Sequence, residues 1–153
     1  MPTKKKPKKA KEPTRSQLIK KADKLFSIYI RIHYADKDGY VRCYTCWKKL
    51  RWDDPQMNCW HFISRKCIPL RWNKNNARPQ CFMPCNSKLA WNWEPVLFRI
   101  NLVEEIGEEE VQKLENEYLF WKQHDDKVST PQIKIIIQTL EELIIKESER
   151  NRF

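Results

Sequence analysis

Glycine is scarce in this chain: two in 153 residues, against a usual share of about 7%. The backbone therefore has few places where a positive φ comes without strain. No apolar run reaches the roughly 18 residues that span a bilayer, so no transmembrane helix is expected. The N-terminus is basic but lacks the apolar stretch of a secretory signal. A cytoplasmic setting is the default expectation, and the six cysteines then read as metal ligands rather than disulfides. No internal repeat is visible. What the chain has in excess is tryptophan, with seven residues, and positive charge, with 30 Lys and Arg against 20 Asp and Glu. A hydrophobic share of 41% can supply a modest core for one domain with tails.

The charge is unevenly placed. Residues 1–15 carry net +6, residues 16–100 net +10 and residues 101–153 net −6. Nucleic acid is the obvious polyanion for such a surface. Residues 1–15, with six lysines and three prolines, read as a disordered basic tail. Residues 16–106 read as a helix plus a cysteine-framed core, and residues 107–153 as an acidic helical region.

Ser16 can cap a helix from Gln17, along which Leu18, Ala22, Leu25, Phe26, Tyr29 and Ile30 recur at helical spacing. His33 reads as a partly buried helix residue rather than a ligand. Tyr40 to Arg42 and residues 76–80 read as short strands, 56–62 as extended and 63–74 as a loop. A helix is expected to start within 86–90. Pro95 to Ile106 reads as a helix ended by Gly107, and Glu108 to Gln123 as another. Thr130 and Pro131 open a last amphipathic helix to about residue 150. Its apolar face suits a homodimer or folding back on the core, and the pattern is equally consistent with both.

Cys43-Tyr44-Thr45-Cys46 and Cys81-Phe82-Met83-Pro84-Cys85 are two close pairs, 34 residues apart. Two hairpins presenting two sulfurs each suit one tetrahedral structural zinc ion. Cys59 and Cys67 are the alternatives should the longer second pair be distorted. Between the pairs lie His61 and the run Asn75-Asn76-Ala77-Arg78-Pro79-Gln80, and Asn86 follows Cys85. A zinc knot holding a His…Asn…Asn series is the layout of an HNH-type nuclease. The expected fold class is accordingly α+β: a small zinc-stabilised ββα-metal (His-Me finger) core with flanking N- and C-terminal helices. Hydrolysing a phosphodiester needs an activated water and neutralisation of the departing oxygen. His61 is the natural general base, and Asn76 is placed to hold its loop through the side-chain amide. Asn86 could ligate or orient a divalent metal. Arg65, Arg71, Lys74 and Arg78 are the candidate phosphate contacts. The competing reading makes His61 a zinc ligand or a structural histidine in a non-catalytic nucleic-acid-binding finger.

At these residues the chain resembles the phage NinG (Rap) recombination family of branched-DNA endonucleases. The stretches that carry the resemblance are Arg42-Cys43-Tyr44-Thr45-Cys46, His61-Phe62-Ile63-Ser64-Arg65, Leu70-Arg71-Trp72-Asn73, Asn76-Ala77-Arg78-Pro79-Gln80-Cys81 and Cys85-Asn86. With the leading helix and the Ile106-Gly107 break, it covers roughly residues 16–120. The resemblance implies a phage-encoded nuclease in the bacterial host cytoplasm. It would cut Holliday junctions or D-loops with Mg2+ or Mn2+. His61 would be the catalytic base, Asn76 and Asn86 would complete the series, and His61 and Asn86 are the candidate ligands of the catalytic metal.

Three features depart from the family pattern. Many HNH enzymes place a carboxylate just before the histidine, where this chain has Trp60. The second cysteine pair has three intervening residues where the family usually has two. Trp47, Trp60 and Trp91 stand where the family normally has glycine, and Trp93 is a fourth candidate. One base separates a glycine codon from UGA, which some bacterial lineages and their phages read as glycine. These tryptophans are therefore candidates for UGA codons translated under the wrong code. The alternative is genuine tryptophan that packs on the cysteine knuckle or stacks on bases.

Overall fold

The computed structural model describes residues 12–87, 94–124 and 127–151. Most of the basic tail lies outside these residues, as do Trp91, Trp93 and most of the helix expected within 86–90. Residues 86 and 87 belong to a turn and a bend.

The protein is α+β, with four α-helices and two two-stranded sheets among the described residues. Helix α1 spans Arg15–His33. It is capped by Thr14, not Ser16: the Thr14 hydroxyl accepts from the Gln17 backbone while the Gln17 side chain reaches back to the Thr14 N–H. That reciprocal box satisfies two otherwise unpaired N–H groups, which Ser16 inside the first turn could not do. Helix α1 buries Leu18, Ala22, Phe26, Tyr29, Ile30 and Ile32. Helix α4 (Thr130–Asn151) covers much of that stripe with Ile133, Ile137 and Leu140. The two helices run in the same direction, since Arg15 donates to the Val128 carbonyl and Asn151 to the Ile32 carbonyl. His33 is partly buried, its Nδ1 2.7 Å from Glu147 Oε1 on α4. The apolar face of the last helix is thus folded back on its own core.

Strands β1 (Tyr40–Arg42) and β2 (Lys49–Arg51) form one antiparallel hairpin, with Val41 opposite Leu50. The sequence reading missed β2 because Lys-Leu-Arg offers one apolar residue between two cations, too little for a periodicity signal. Strands β3 (Met57–His61) and β4 (Ala77–Cys81) form the other, with His61 opposite Ala77 and Trp60 opposite Arg78. All five residues of β4 are buried. Helices α2 (Glu94–Ile106) and α3 (Glu108–His124) meet at Gly107, whose φ of 86° turns the chain in a single residue. They enclose Phe98, Leu102, Val111 and Leu114 with Tyr44, Cys67 and Leu70. Cys67 is therefore a core residue.

Candidate functional site

The two cysteine pairs converge. Cys43 directly follows β1, Cys46 lies in the turn towards β2, Cys81 ends β4 and Cys85 lies in the following turn. Their four sulfurs all lie within 4.8 Å of one another, with Cys46 and Cys81 3.6 Å apart. A tetrahedral ion with Zn–S bonds of about 2.3 Å would set sulfurs about 3.8 Å apart. The cluster could thus hold a structural metal such as zinc, and Cys59 and Cys67 are not part of it.

Trp47 follows this knuckle directly. Its φ is 63°, the one positive value outside glycine among the described residues, and its side chain is 58% exposed. The turn fixes that backbone, because Trp47 N–H bonds the Cys43 carbonyl and Cys43 N–H bonds the Lys48 carbonyl. A side chain in this region costs roughly 1–2 kcal/mol, with little burial to offset it. Trp60 differs: it sits in regular β3 and packs against the α2–α3 core. Of the two candidate positions among the described residues, 47 has the glycine-like geometry and 60 does not. Trp47→Gly is expected to raise stability by roughly 1 kcal/mol, or about 2–4 °C in Tm with the metal held constant. A lower melting temperature in the variant would show the tryptophan to be suited to its place.

His61 ends β3 and lines a cleft of about 620 Å³ with Asp23, Ser27, Asn58, Arg65, Phe82 and Asn86. Its Nε2–H donates to the Arg71 carbonyl at 2.9 Å. In the neutral ring this fixes Nδ1 as the acceptor. Burial holds the imidazole well below its usual range, at about 4, against the upward pull of the Arg71 carbonyl. His61 is thus a neutral base at pH 7.

Asn76 is fully buried opposite this loop. Its Nδ2 donates to the carbonyls of Ile63 and Leu70 at 3.0 Å, and its Oδ1 accepts from Ile63 N–H at 2.7 Å. One amide therefore ties both ends of the segment 63–70, immediately after His61. Asp23 on α1 holds the same loop from outside. It accepts from Arg71 Nε at 2.8 Å, from Arg71 Nη2 at 2.6 Å and from Trp72 Nε1 at 3.0 Å. Arg71 thus gives its carbonyl to His61 and its guanidinium to Asp23. The sequence reading missed Asp23, which lies 38 residues before His61. The available signal was an acid standing alone in a cationic helix.

The four candidate phosphate contacts part company. Arg65 is exposed at the cleft. Arg71 is committed to Asp23 at its edge. Lys74 is exposed but lines a separate apolar groove beside α4. Arg78 is 1% exposed and cannot reach a phosphate. Its Nε donates to Glu105 at 2.9 Å, its Nη1 to the Ala77 carbonyl at 2.7 Å, and its guanidinium lies over the rings of Tyr34 and Tyr44. The expectation for Arg78 is corrected accordingly: its position in the buried strand β4 makes it a structural cation.

The model of the family described as Bacteriophage Lambda NinG protein matches residues 2–150. The chain belongs to the NinG family. No curated protein matches this NinG-family chain, and no solved structure does. The match spans both cysteine pairs, the His61 cleft, helices α1 to α3 and all but the last residue of α4. Membership points to a role connected with phage recombination. No helix of this NinG-family chain, among the described residues, is long and apolar enough to cross a membrane.

Proposed function

We propose that this NinG-family protein is a metal-dependent DNA endonuclease that cuts phosphodiesters in branched recombination intermediates. Its site would be an HNH-type ββα-metal core built on β3 and β4. The observation that carries this reading is the setting of His61: neutral, in a cleft, with Nε2–H spent on the Arg71 carbonyl and Nδ1 left as acceptor. Such a group takes the proton from a water attacking phosphorus. Asn76 and the Asp23–Arg71 pair position it, and Arg65 is the cation available for the phosphate.

Asn86 would hold Mg2+ or Mn2+, which when bound neutralises the departing oxygen; His61 is the other candidate ligand, but only in place of its role as base, since Nδ1 offers one lone pair. The donor set fits such an ion only in part. Among the described residues no group of carboxylates, histidines or cysteines gathers at His61, and Asp23 is taken by Arg71. Mg2+ is commonly held by one or two carboxylates together with substrate phosphates. Appreciable metal binding is therefore expected only with DNA present. The same shortage of carboxylates favours the second reading, a binding module without catalysis.

The test incubates the protein with Mg2+ or Mn2+ and a labelled four-way junction, fork or plain duplex, beside His61→Ala. Metal-dependent cutting of branched DNA should fall at least about a hundredfold in the variant. Binding without cutting in the wild type would instead establish the binding module.

A further inference from the structure

The β1–β2 hairpin carries charge that the cleft does not use. Residues 39–52 contain four cations and no acid. Strand β1 turns Tyr40 and Arg42 outward, and β2 turns Lys49 and Arg51 outward. The register sets Tyr40 opposite Arg51 and Arg42 opposite Lys49, so all four side chains share one face. Lys48, also exposed, stands next to Lys49 at the turn. The Lys49 ammonium lies 4.8 Å from the Tyr40 ring centroid, which keeps it along the ribbon.

We infer that this outer face is a second nucleic-acid surface, which holds a duplex arm apart from the strand in the His61 cleft. The inference rests on the nucleic-acid reading above and adds where a second arm sits. The groove beside the hairpin, about 500 Å³, shares no lining residue with the His61 cleft. Arg42 and Lys49 both line it. Lys49 and Arg51, two positions apart on β2, stand about 6.8 Å apart, a spacing on the scale of neighbouring phosphates along one strand. Two are held by acids, Lys49 by Asp36 at 3.0 Å and Arg51 by Asp53 at 3.1 Å. Those pairs are about half exposed, where an ion pair contributes little and yields readily to phosphate. Across the groove Glu105 is occupied by Arg78, Tyr34 and Tyr44, and the exposed Glu104 beside it bounds the surface on that side. A plain duplex needs one such surface. A branched substrate brings two arms, and a second surface rewards it selectively.

The experiment uses the full chain loaded with zinc, without Mg2+ or Mn2+, and reads fluorescence anisotropy on a labelled four-way junction and a linear duplex over a salt series. The variant replaces Arg42, Lys48, Lys49 and Arg51 with glutamine, and zinc content and melting confirm its fold. Junction Kd is expected to rise about tenfold or more, with the salt slope lower by about 2–3 and a smaller change for the duplex. Lys48→Glu alone, at an exposed turn, should move the junction Kd in the same direction and covers the case in which the fourfold variant misfolds. Junction binding within twofold of wild type in both, while Arg65→Gln weakens it, overturns the second surface and leaves the cleft reading standing. A wild type that binds neither DNA overturns both.

Discussion

Removing the metal from the four-cysteine centre is expected to unfold the strand-bearing half of the protein while the α1–α4 pair keeps much of its helix. The physical reason lies in what surrounds the sulfurs. Cys43, Cys81 and Cys85 are buried together, yet among the described residues Leu50 is the one partly buried apolar residue packed against their cluster. The hairpins they join are three and five residues per strand, too short to be stable alone. A structural zinc ion contributes on the order of 10 kcal/mol to folding in small domains, comparable to the whole stability of an ordinary domain. Without metal, burial pushes the Cys81 thiol up to about 11 and raises Cys85 as well, while at Cys43 burial is outweighed by hydrogen bonds that bring the thiol down to about 7. A chelator titration followed by circular dichroism and a metal-release dye should give one zinc per chain and a loss of β and near-ultraviolet signal in step with release. Cys81→Ser should reproduce it. A melting curve indifferent to chelator would remove the metal centre from the account.

The second large effect concerns the buried cation of β4. Glu105→Gln takes away the carboxylate that accepts from Arg78 Nε at 2.9 Å and from the Tyr44 hydroxyl at 2.6 Å. Arg78 would keep its charge inside the protein without a counter-charge. Breaking an enclosed pair in this way costs about 3–5 kcal/mol. Glu105 is 36% exposed, and solvent screening brings the expected loss to about 2–4 kcal/mol. Urea denaturation of the metal-loaded protein measures it, and a loss under about 0.5 kcal/mol would mean that Arg78 is satisfied by the backbone carbonyls alone. The pair also has a pH signature. Burial raises the Glu105 carboxyl, but the bonds from Arg78, Tyr44 and Tyr34 outweigh it and hold it below its usual 4.5. Its contribution is therefore fully present above about pH 4.5 and is lost as pH falls through the lowered value. In Glu105→Gln that part of the acid transition should disappear.

These expectations draw on two different sources of information. The helix at the N-terminus, the helix pair around Gly107, the last amphipathic helix and the two cysteine pairs were legible in the residues. Each depends on neighbours a few positions apart: apolar spacing at 3.6 residues, a cap, a glycine after the last turn, or two sulfurs on one hairpin. Position 47 was legible in part, because a residue following a Cys-X-X-Cys knuckle is where a positive φ is wanted, and the structure places Trp47 at 63°.

Contacts between distant segments were not legible. Arg78 looks like a phosphate ligand in a basic stretch, and only the burial of β4 beneath Tyr34, Tyr44 and Glu105 makes it structural. Asp23 looks like a surface acid on a cationic helix, and only the packing of α1 beside the His61 loop gives it Arg71 and Trp72. The sequence by itself determined most of the local elements and the metal-binding potential of the four cysteines, because short-range geometry settles those. The tertiary structure decided which cations face solvent, which carboxylate stands behind His61 and where the last helix lies. Burial and charge pairing arise between segments that no local pattern connects.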